Sequence, residues 1–249
     1  MTDAVRAGPL ATATDDGDTL RFCSSCVFGR VCLPHQVDKT ALNELHCLVE
    51  HAGPYEPGAH IFRIGERFNA IYAVRDGMIK TCFYDDTGRE QVLGFHLPGE
   101  MIGLNAIHPE RYPCEAVVVD TAYVCRFSFP ALATLASRLP HVQKELFRLL
   151  SKDIGNAALL AGDYSADERL AAFLIGLSDR FAERGYSGAS FRLAMSRGDI
   201  ANYLRLAAET VSRVLRRFQD NGLIGVDGRD VTILRPDELT AIARNLLHR

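Results

Sequence analysis

Residues 191–234 read FRLAMSRGDIANYLRLAAETVSRVLRRFQDNGLIGVDGRDVTIL, and this stretch decides how the C-terminal part of the chain folds. Ser196 followed three residues later by Asp199 is typical of a helix start. Asn221-Gly222 is a stop signal for a second helix, and Asp227-Gly228-Arg229 between two apolar runs indicates a β-hairpin. Together these signals predict a winged helix-turn-helix. Its elements are helices through Leu204 and from about Ala208 to Asp220, with strands Leu223–Val226 and Val231–Leu234.

The second of these helices carries the side chains expected to contact DNA. In a helix-turn-helix the second helix lies in the major groove and its N-terminal side chains touch base edges. Glu209, Ser212 and Arg213 lie three and four residues apart and share one face. Arginine can bond a guanine in a bidentate manner, glutamate accepts from base amino groups, and serine bonds either way. Three further arginines are predicted phosphate contacts, which supply affinity without sequence information: Arg205, Arg216 and Arg217. The alternative is a solvated charged helix in an ordinary bundle.

The charge distribution is compatible with double-stranded DNA as a partner, although the net charge is −3. Residues 165–249 carry +2 and the preceding residues −5, which fits an acidic sensor joined to a basic DNA-binding domain. The 249 residues contain no apolar run of membrane-spanning length. Residues 1–20 lack a secretory signal pattern and are expected to form a flexible tail. We therefore expect a cytoplasmic protein with no membrane contact.

The middle of the chain, Gly53 to Ser128, has the pattern of an antiparallel β structure. Glycines recur there every 7 to 12 residues in turn signals, a spacing typical of a β-barrel or jelly roll. A short helical stretch near Lys39–Glu50 precedes it. The recurring glycines are Gly58, Gly65, Gly77, Gly88 and Gly99. The predicted strands are Ile71–Val74, Met78–Tyr84, Gln91–Leu97, Ala116–Val119 and Ala122–Phe127.

A long helix is predicted from about Pro140 to Ala161, because its apolar residues fall three or four apart. That stripe fits packing on the chain's own barrel and equally a coiled-coil seam between two chains. A capping box, Ser165 with Glu168, opens the next helix. The predicted fold class is α+β. Its parts are a tail at 1–20, a loop with a sensor barrel at 21–139, a dimerisation helix at 140–164 and the DNA-binding domain at 165–249.

Seven cysteines, an odd number, are unlikely to be structural disulfides in a reducing compartment. Cys23, Cys26 and Cys32 form a C-x2-C-x5-C pattern that can wrap one metal centre but leaves it short of a fourth ligand. From these residues alone zinc, an iron–sulfur cluster and a redox thiol switch stay open, and His35 is a possible substitute ligand. Three other cysteines lie in segments with a helical, strand or loop pattern and are expected to be small buried apolar residues. They are Cys47, Cys82 and Cys114.

Several motifs resemble the fumarate–nitrate reductase regulators (FNR), a branch of the cyclic-AMP-receptor (CRP) superfamily. They are ERLAA at 168–172, FRLAMSRGDIAN at 191–202, ETVSRVLRRFQ at 209–219 and GFHLPGE at 94–100, together with the N-terminal cysteines. The resemblance covers nearly the whole chain after about Arg21. It implies a homodimer that reads TTGAT half-sites through Glu209, Ser212 and Arg213.

The resemblance also implies an oxygen-labile [4Fe–4S] cluster. In that family a later cysteine in a Val-Cys segment at a strand end completes the ligand set, and Thr121–Cys125 matches that segment. Cys23, Cys26, Cys32 and Cys125 are therefore the expected ligands. In the family the anaerobic cluster favours the DNA-binding dimer. The hairpin with Asp85, Asp86 and Gly88 matches a loop that touches RNA polymerase, although its residues alone fit a plain solvated turn.

The chain departs from the family pattern in its helix-turn-helix turn and after the long helix. Arg205 stands where a glycine is usual, so a non-glycine residue is expected in a left-handed conformation. Ala207 replaces the usual capping Thr or Ser. The segment between the long helix and Ala166 is about three residues short, roughly one helical turn.

Three other functions are possible for a chain of this fold: a cyclic-nucleotide receptor, an enzyme, and a haem or nitric-oxide sensor. A cyclic-nucleotide site needs a second Glu and a phosphate-binding Arg, and the chain has Leu104 and Pro113-Cys114 at those places. No cyclic nucleotide is therefore expected. No phosphate loop, zinc-protease or nucleophile-elbow motif is present, so the chain is not expected to be an enzyme. A haem or nitric-oxide sensor on the same scaffold stays open.

Overall fold

The computed structural model describes residues 49–160 and 162–247. The predicted tail, the loop with Cys23, Cys26, Cys32 and His35, and Cys47 lie outside the described residues, as does most of the predicted helix at Lys39–Glu50. That helix prediction is wrong at its end, because Val49 and Glu50 begin a β-strand. Val49 pairs with Phe127 and packs on an apolar cluster, so long-range pairing overrides the local helical pattern.

The β domain, residues 49–128, is one six-stranded antiparallel sheet, as the glycine spacing predicts. Its main path runs in the order β1-β6-β3-β4, with β2 added to β6 and β5 added to β3. All five predicted turn glycines have positive φ angles, a conformation that costs glycine little. The strands are β1 Val49–Tyr55, β2 His60–Phe62, β3 Ala70–Tyr84, β4 Glu90–His96, β5 Met101–Ile102 and β6 Glu115–Ser128.

Two pairs of predicted short strands are in fact two long strands. β3 is continuous through Asp76-Gly77, the predicted turn, and β6 is continuous through the predicted gap after Val119. The pairing register shifts between Val74 and Met78, so the turn signal marks an irregularity within the ladder. Gly77 has φ 79°, and a Cβ there would lie 2.2 Å from the Thr121 carbonyl oxygen. Glycine is required because the two strands approach so closely.

Aromatic side chains fill the space enclosed by the sheet. Phe62 stacks on Tyr112 with ring centroids 4.0 Å apart, and Tyr72 lies 5.8 Å from Phe62. The Tyr112 hydroxyl donates to the Ala70 carbonyl at 2.7 Å, which satisfies the buried phenol. Leu104, at the position of the missing cyclic-nucleotide glutamate, is buried in a second cluster, on the other side of the sheet.

Two helices cover the outer face of the sheet. The short helix α1, Phe129–Arg138, was not predicted, and α2, Pro140–Leu160, is the predicted long helix. Val142 and Leu149 of α2 are buried against the β domain, whereas Phe147 is 61% exposed. The first half of the apolar stripe thus packs on its own chain. The side chains of 152–160 are not described, so the coiled-coil seam stays a prediction.

The C-terminal domain is a winged helix-turn-helix, as predicted. Both capping boxes form, since Ser165 and Ser196 each exchange hydrogen bonds with the residue three positions on. Strand β7 and the last two helices were not predicted. The sheet order is β7-β9-β8. The elements are α3 Ala166–Ala182, β7 Ser190–Arg192, α4 Arg197–Leu204, α5 Ala208–Asp220, β8 Ile224–Asp227, β9 Asp230–Ile233, α6 Pro236–Ile242 and α7 Arg244–Leu247. No helix in the described ranges is long and apolar enough to cross a membrane.

The β domain and the C-terminal domain share one apolar core. Met78 and Phe95 of the β domain are buried in the same cluster as residues of α3, α4 and α5. The Phe95 ring lies 6.1 Å from Phe173 and 5.5 Å from Tyr203, both in edge-to-face contact. The helix-turn-helix is therefore seated directly on strand β4.

His96 at the end of β4 makes the stability of this core depend on pH. Its Nε2 lies 3.0 Å from the Thr81 hydroxyl, and burial lowers its pKa from 6.5 to about 4. Unfolded chains bind a proton at His96 below pH 6.5, while folded chains do not until near pH 4. The free energy of unfolding is therefore expected to fall by about 1–2 kcal/mol between pH 7 and pH 5 through this group.

Urea denaturation of His96→Gln at pH 7 and pH 5 checks this expectation. The variant should lose less stability on acidification than the wild type, since glutamine does not titrate. His108→Gln, at an exposed histidine, is the matched control and should behave like the wild type. An equal loss of stability in all three proteins would contradict the role of His96.

Candidate DNA interface and cluster ligand

Helix α5 buries one face and exposes the face predicted to read DNA. Val211, Val214, Leu215 and Phe218 are buried in the domain core. Glu209, Ser212 and Arg213 are all exposed, at the N-terminal half of the helix. The structure therefore brings the three predicted base-reading side chains together on one accessible surface.

The reading side chains make only local contacts in the described residues. Ser212 donates from Oγ to the Ala208 carbonyl at 3.0 Å, and Arg213 donates from Nη2 to the Thr210 hydroxyl at 3.2 Å. Exposed hydrogen bonds of this kind exchange readily with other partners, because water competes for them. The guanidinium group of Arg213 is thus available to a base edge.

The turn before α5 has the two departures that the sequence predicts. Arg205 has φ 58° and ψ 42°, the left-handed conformation, and its N–H bonds the carbonyls of Ala201 and Asn202 to end α4. Ala207 is the N-cap of α5 and makes no side-chain cap hydrogen bond. The reading helix therefore begins without the side-chain acceptor that usually satisfies its first N–H groups.

The three predicted phosphate contacts differ in their surroundings. Arg205 and Arg216 are exposed. Arg217 pairs with Asp167 of α3, so a phosphate would have to compete with that carboxylate. Arg216 therefore lies beside Ser212 on the exposed face of α5, whereas Arg217 is ion-paired to α3.

Arg197 is a candidate DNA contact that the sequence reasoning missed. It lines an open cleft with Ser212, Arg216 and Val226, between the reading helix and the wing. Its Nη2 donates to the Gly228 carbonyl at 3.2 Å, whereas its Nη1 is buried without a hydrogen-bond partner among the described residues. Burial, and then the neighbouring Arg229, lower the pKa of Arg197.

An anion in this cleft would satisfy the buried donor and relieve the repulsion between the two guanidinium groups. The signal in the sequence was an arginine at the first position of a helix, where the helix dipole disfavours a cation.

The three described cysteines divide into two classes. Cys82 and Cys114 are 0% and 1% exposed, as expected of small buried apolar residues. Burial raises the pKa of both thiols, for Cys82 to about 12, which disfavours the thiolate that binds metal. Cys125 is half-buried. Of these three, Cys125 fits a metal ligand best.

Cys125 lies inside strand β6, three residues before its end, and not at the strand terminus that the sequence suggests. It pairs with His51 of β1 on one side and Ala73 of β3 on the other. Its Sγ lies 3.4 Å from Nδ1 of His51. No three His, Cys, Asp or Glu side chains converge as a metal site in 49–160 and 162–247. The other three expected ligands, Cys23, Cys26 and Cys32, lie outside the described residues.

The hairpin predicted to touch RNA polymerase joins β3 to β4. The Asp85 carboxylate accepts from the backbone N–H groups of Thr87 and Arg89, each at 3.0 Å, and this holds the tight turn. Asp86 and Gly88 are exposed at the tip. The hairpin presents an exposed polar surface.

Comparisons with known proteins agree with this architecture. Residues 53–138 match the model of the cyclic nucleotide-binding domain, and residues 168–242 match the Crp-like helix-turn-helix domain. The transcriptional activator protein Anr of Pseudomonas aeruginosa is 44% identical over 224 residues, covering 89% of this chain and 92% of the relative. The chain is an FNR-type member of the CRP/FNR family. Family members are transcription regulators that bind DNA, and they are not enzymes.

Two further similarities support the assignment. The fumarate and nitrate reduction regulatory protein of Escherichia coli K12 is 38% identical over 224 residues, covering 89% of this chain and 90% of that protein. The solved structure of FixK2 from Bradyrhizobium japonicum superposes with a TM-score of 0.70 at 27% identity, covering 78% of this chain and 96% of that one. The FNR-type regulator therefore has the fold that its sequence motifs predict.

The uncapped start of α5 leads to a test. Ala207→Ser supplies an oxygen to the first turn, and we expect it to raise the free energy of unfolding by about 1 kcal/mol. Urea unfolding measures the gain, and Ala208→Ser, one residue into the helix, is the control. DNA discrimination should not change, because the reading residues are untouched. Equal effects of the two substitutions would show that the cap position is not special.

Proposed function

We propose that this FNR-type regulator is an oxygen sensor that binds TTGAT-type palindromic DNA as a homodimer under anaerobic conditions. Its [4Fe–4S] cluster would be held by Cys23, Cys26, Cys32 and Cys125. The observation that carries the proposal is the placement of Cys125. It is the most accessible of the described thiols, and it lies on the side of the sheet that faces helix α2.

Such a cluster would supply an oxygen-labile link between the N-terminal loop and strand β6. Cys125 packs on the same apolar cluster as Leu146 and Leu150 of α2. Movement of Cys125 would therefore disturb a cluster on which α2 also packs. Because the remaining part of α2 is the proposed dimer seam, this shared packing would couple the ligand to dimerisation.

The DNA-reading roles follow from the exposed face of α5. Arg213 would bond a guanine, and Glu209 and Ser212 would contact neighbouring bases. Arg216 and Arg197 would bind phosphates at the cleft beside the wing, with Arg205 and Arg217 as further phosphate contacts. A dimer is required because two recognition helices must reach half-sites about one helical turn apart.

A cyclic-nucleotide receptor is disfavoured by the packing of the sheet interior. Phe62, Tyr72 and Tyr112 occupy that space together with the buried Cys114, which stands where a phosphate needs a polar partner. Leu104, at the position of the ribose-binding glutamate, is an apolar residue buried in the cluster under α1 and α2. A buried phosphate without such partners would cost several kcal/mol. A zinc site or a thiol switch would use the same cysteines and is distinguished by the experiment below.

RNA polymerase is the proposed second partner, through Asp85, Asp86 and Gly88. The exposed tip supports this assignment because it is accessible to a partner surface, and the Asp85 hydrogen bonds form the turn that presents it. A regulator with these partners would act in the cytoplasm.

Anaerobic iron–sulfide reconstitution tests the ligand set. Cys125→Ala should lose the cluster, and Cys114→Ala should retain it, because Cys114 is sealed in the sheet interior. The measurements are iron and sulfide per chain and the visible absorption spectrum. If Cys125→Ala retained the cluster and Cys114→Ala lost it, the assignment of Cys125 as the fourth ligand would be wrong. Zinc, or no metal, in anaerobic wild type would remove oxygen sensing from the proposal.

Arg213→Ala tests base reading. We expect a loss of about 1–3 kcal/mol of discrimination at the guanine, because a bidentate bond to one base is removed. Binding to operator variants at fixed salt measures it. Arg197→Ala is the matched phosphate-contact control. It should weaken binding to all sequences alike and lower the slope of log K against log salt by about 1. Uniform weakening by Arg213→Ala would show that Arg213 holds only phosphate.

A further inference from the structure

Strand β4 is the edge of the main sheet, and its outer edge is occupied by a side chain of the helix-turn-helix. Asn202 of α4 accepts a hydrogen bond from the Val92 N–H at 2.7 Å and donates one to the Glu90 carbonyl at 2.6 Å. The side-chain amide of Asn202 thus makes the two backbone hydrogen bonds that a further strand would make. This contact ties α4 to the β domain in a fixed register.

A buried charge network lies beside that contact. Lys80 of β3 pairs with Asp199 of α4 at 2.6 Å and with Glu90 at 2.8 Å. The Lys80 and Asp199 side chains are only 14% and 18% exposed. Asp199 also accepts a hydrogen bond from the Ser196 N–H at the N-terminus of α4. The same carboxylate therefore caps α4 and binds the β domain.

A second buried network joins the loop after β4 to helix α3. The Glu100 carboxylate accepts two hydrogen bonds from Arg180, at 2.8 and 2.5 Å, and one from Arg184 at 2.8 Å. Burial would raise the pKa of Glu100, but the two guanidinium groups hold it at about 2. Arg180 also donates to the Phe95 carbonyl at 2.6 Å.

These contacts do not cover the DNA-reading surface. Asp199 and Asn202 face β4, whereas Glu209, Ser212 and Arg213 on the next helix stay exposed. An autoinhibitory contact would hide those residues. The docking seen here instead holds the helix-turn-helix in place and leaves its reading face open.

We propose that Asn202, Lys80–Asp199 and Glu100–Arg180–Arg184 form an interdomain clasp that fixes the orientation of each recognition helix on its own β domain. Opening the clasp would also expose the apolar cluster that Met78 and Phe95 share with α3, α4 and α5, so the polar contacts and the apolar packing hold together as a unit. Its function is to set the distance between the two recognition helices of a dimer. The inference rests on the proposed dimeric reading of palindromic DNA.

The spacing between half-sites is the readout that separates this role from simple stability. A rigid clasp makes binding depend strongly on spacing, because both helices reach the DNA only at one separation. An open clasp gives each helix-turn-helix a flexible tether. Affinity at the native spacing then falls, since only a fraction of molecules has the competent orientation, while other spacings are tolerated better.

The experiment uses full-length protein prepared without oxygen and two DNA duplexes, the TTGAT palindrome and the same palindrome with two extra base pairs at its centre. Lys80→Met and Asn202→Ala are compared with the wild type, and Asn105→Ala, at an exposed asparagine outside the clasp, is the control. We expect each clasp variant to bind the native palindrome about tenfold more weakly and to discriminate about tenfold less between the duplexes. The control should match the wild type.

The outcomes are distinguishable. Unchanged discrimination in Lys80→Met, or tighter binding to the native palindrome, overturns the clasp while leaving the proposed function intact. Lys80→Met changes no residue of the helix-turn-helix, so its discrimination between the two duplexes tests the clasp even if Asn202→Ala fails to fold. If the wild type binds the two duplexes equally well, both the dimeric reading of DNA and the clasp are wrong.

Discussion

The antiparallel pairing of β3 with β6 is the constraint on which the other features depend. The two long strands run past each other from Ala70–Ser128 to Cys82–Glu115. β6 carries Cys125 and continues into the helices of the outer face, while β3 leads into edge strand β4 and hence to the helix-turn-helix. Gly77 allows the close approach of the two backbones. One ladder therefore sets the positions of Cys125, of helix α2 and of the DNA-binding domain.

The sequence predicts local features of this fold well and long-range ones poorly. The Ser196 cap and the bounds of α5 follow from neighbouring residues, and the structure has them. The left-handed Arg205, which the structure also has, was predicted from the family resemblance. Asp76-Gly77 was interpreted as a turn because the pattern does not reveal that β6 pairs across it. Val49 and Glu50 were assigned to a helix for the same reason.

The candidate site shows the same division between local and distant information. Glu209, Ser212 and Arg213 could be predicted because one helical face is set by spacing alone. Arg197 could not, since its burial depends on the wing, which brings the Gly228 carbonyl to one of its nitrogens and leaves the other unpaired. The buried state of Cys114 and the partial exposure of Cys125 likewise depend on which side of the sheet each faces.

Alternation along β6 gives the protein two separate interiors. Ala122 and Val124 point into the aromatic core enclosed by the sheet, whereas Cys125 and Phe127 face the cluster under α1 and α2. In the receptor family a ligand inside the sheet would act on the first interior, and here that space is filled by side chains. In the proposed function, a cluster held at Cys125 would act on the second interior, which includes residues of α2. In that proposal the point of control lies at α2 and not inside the sheet, and the fold is unchanged.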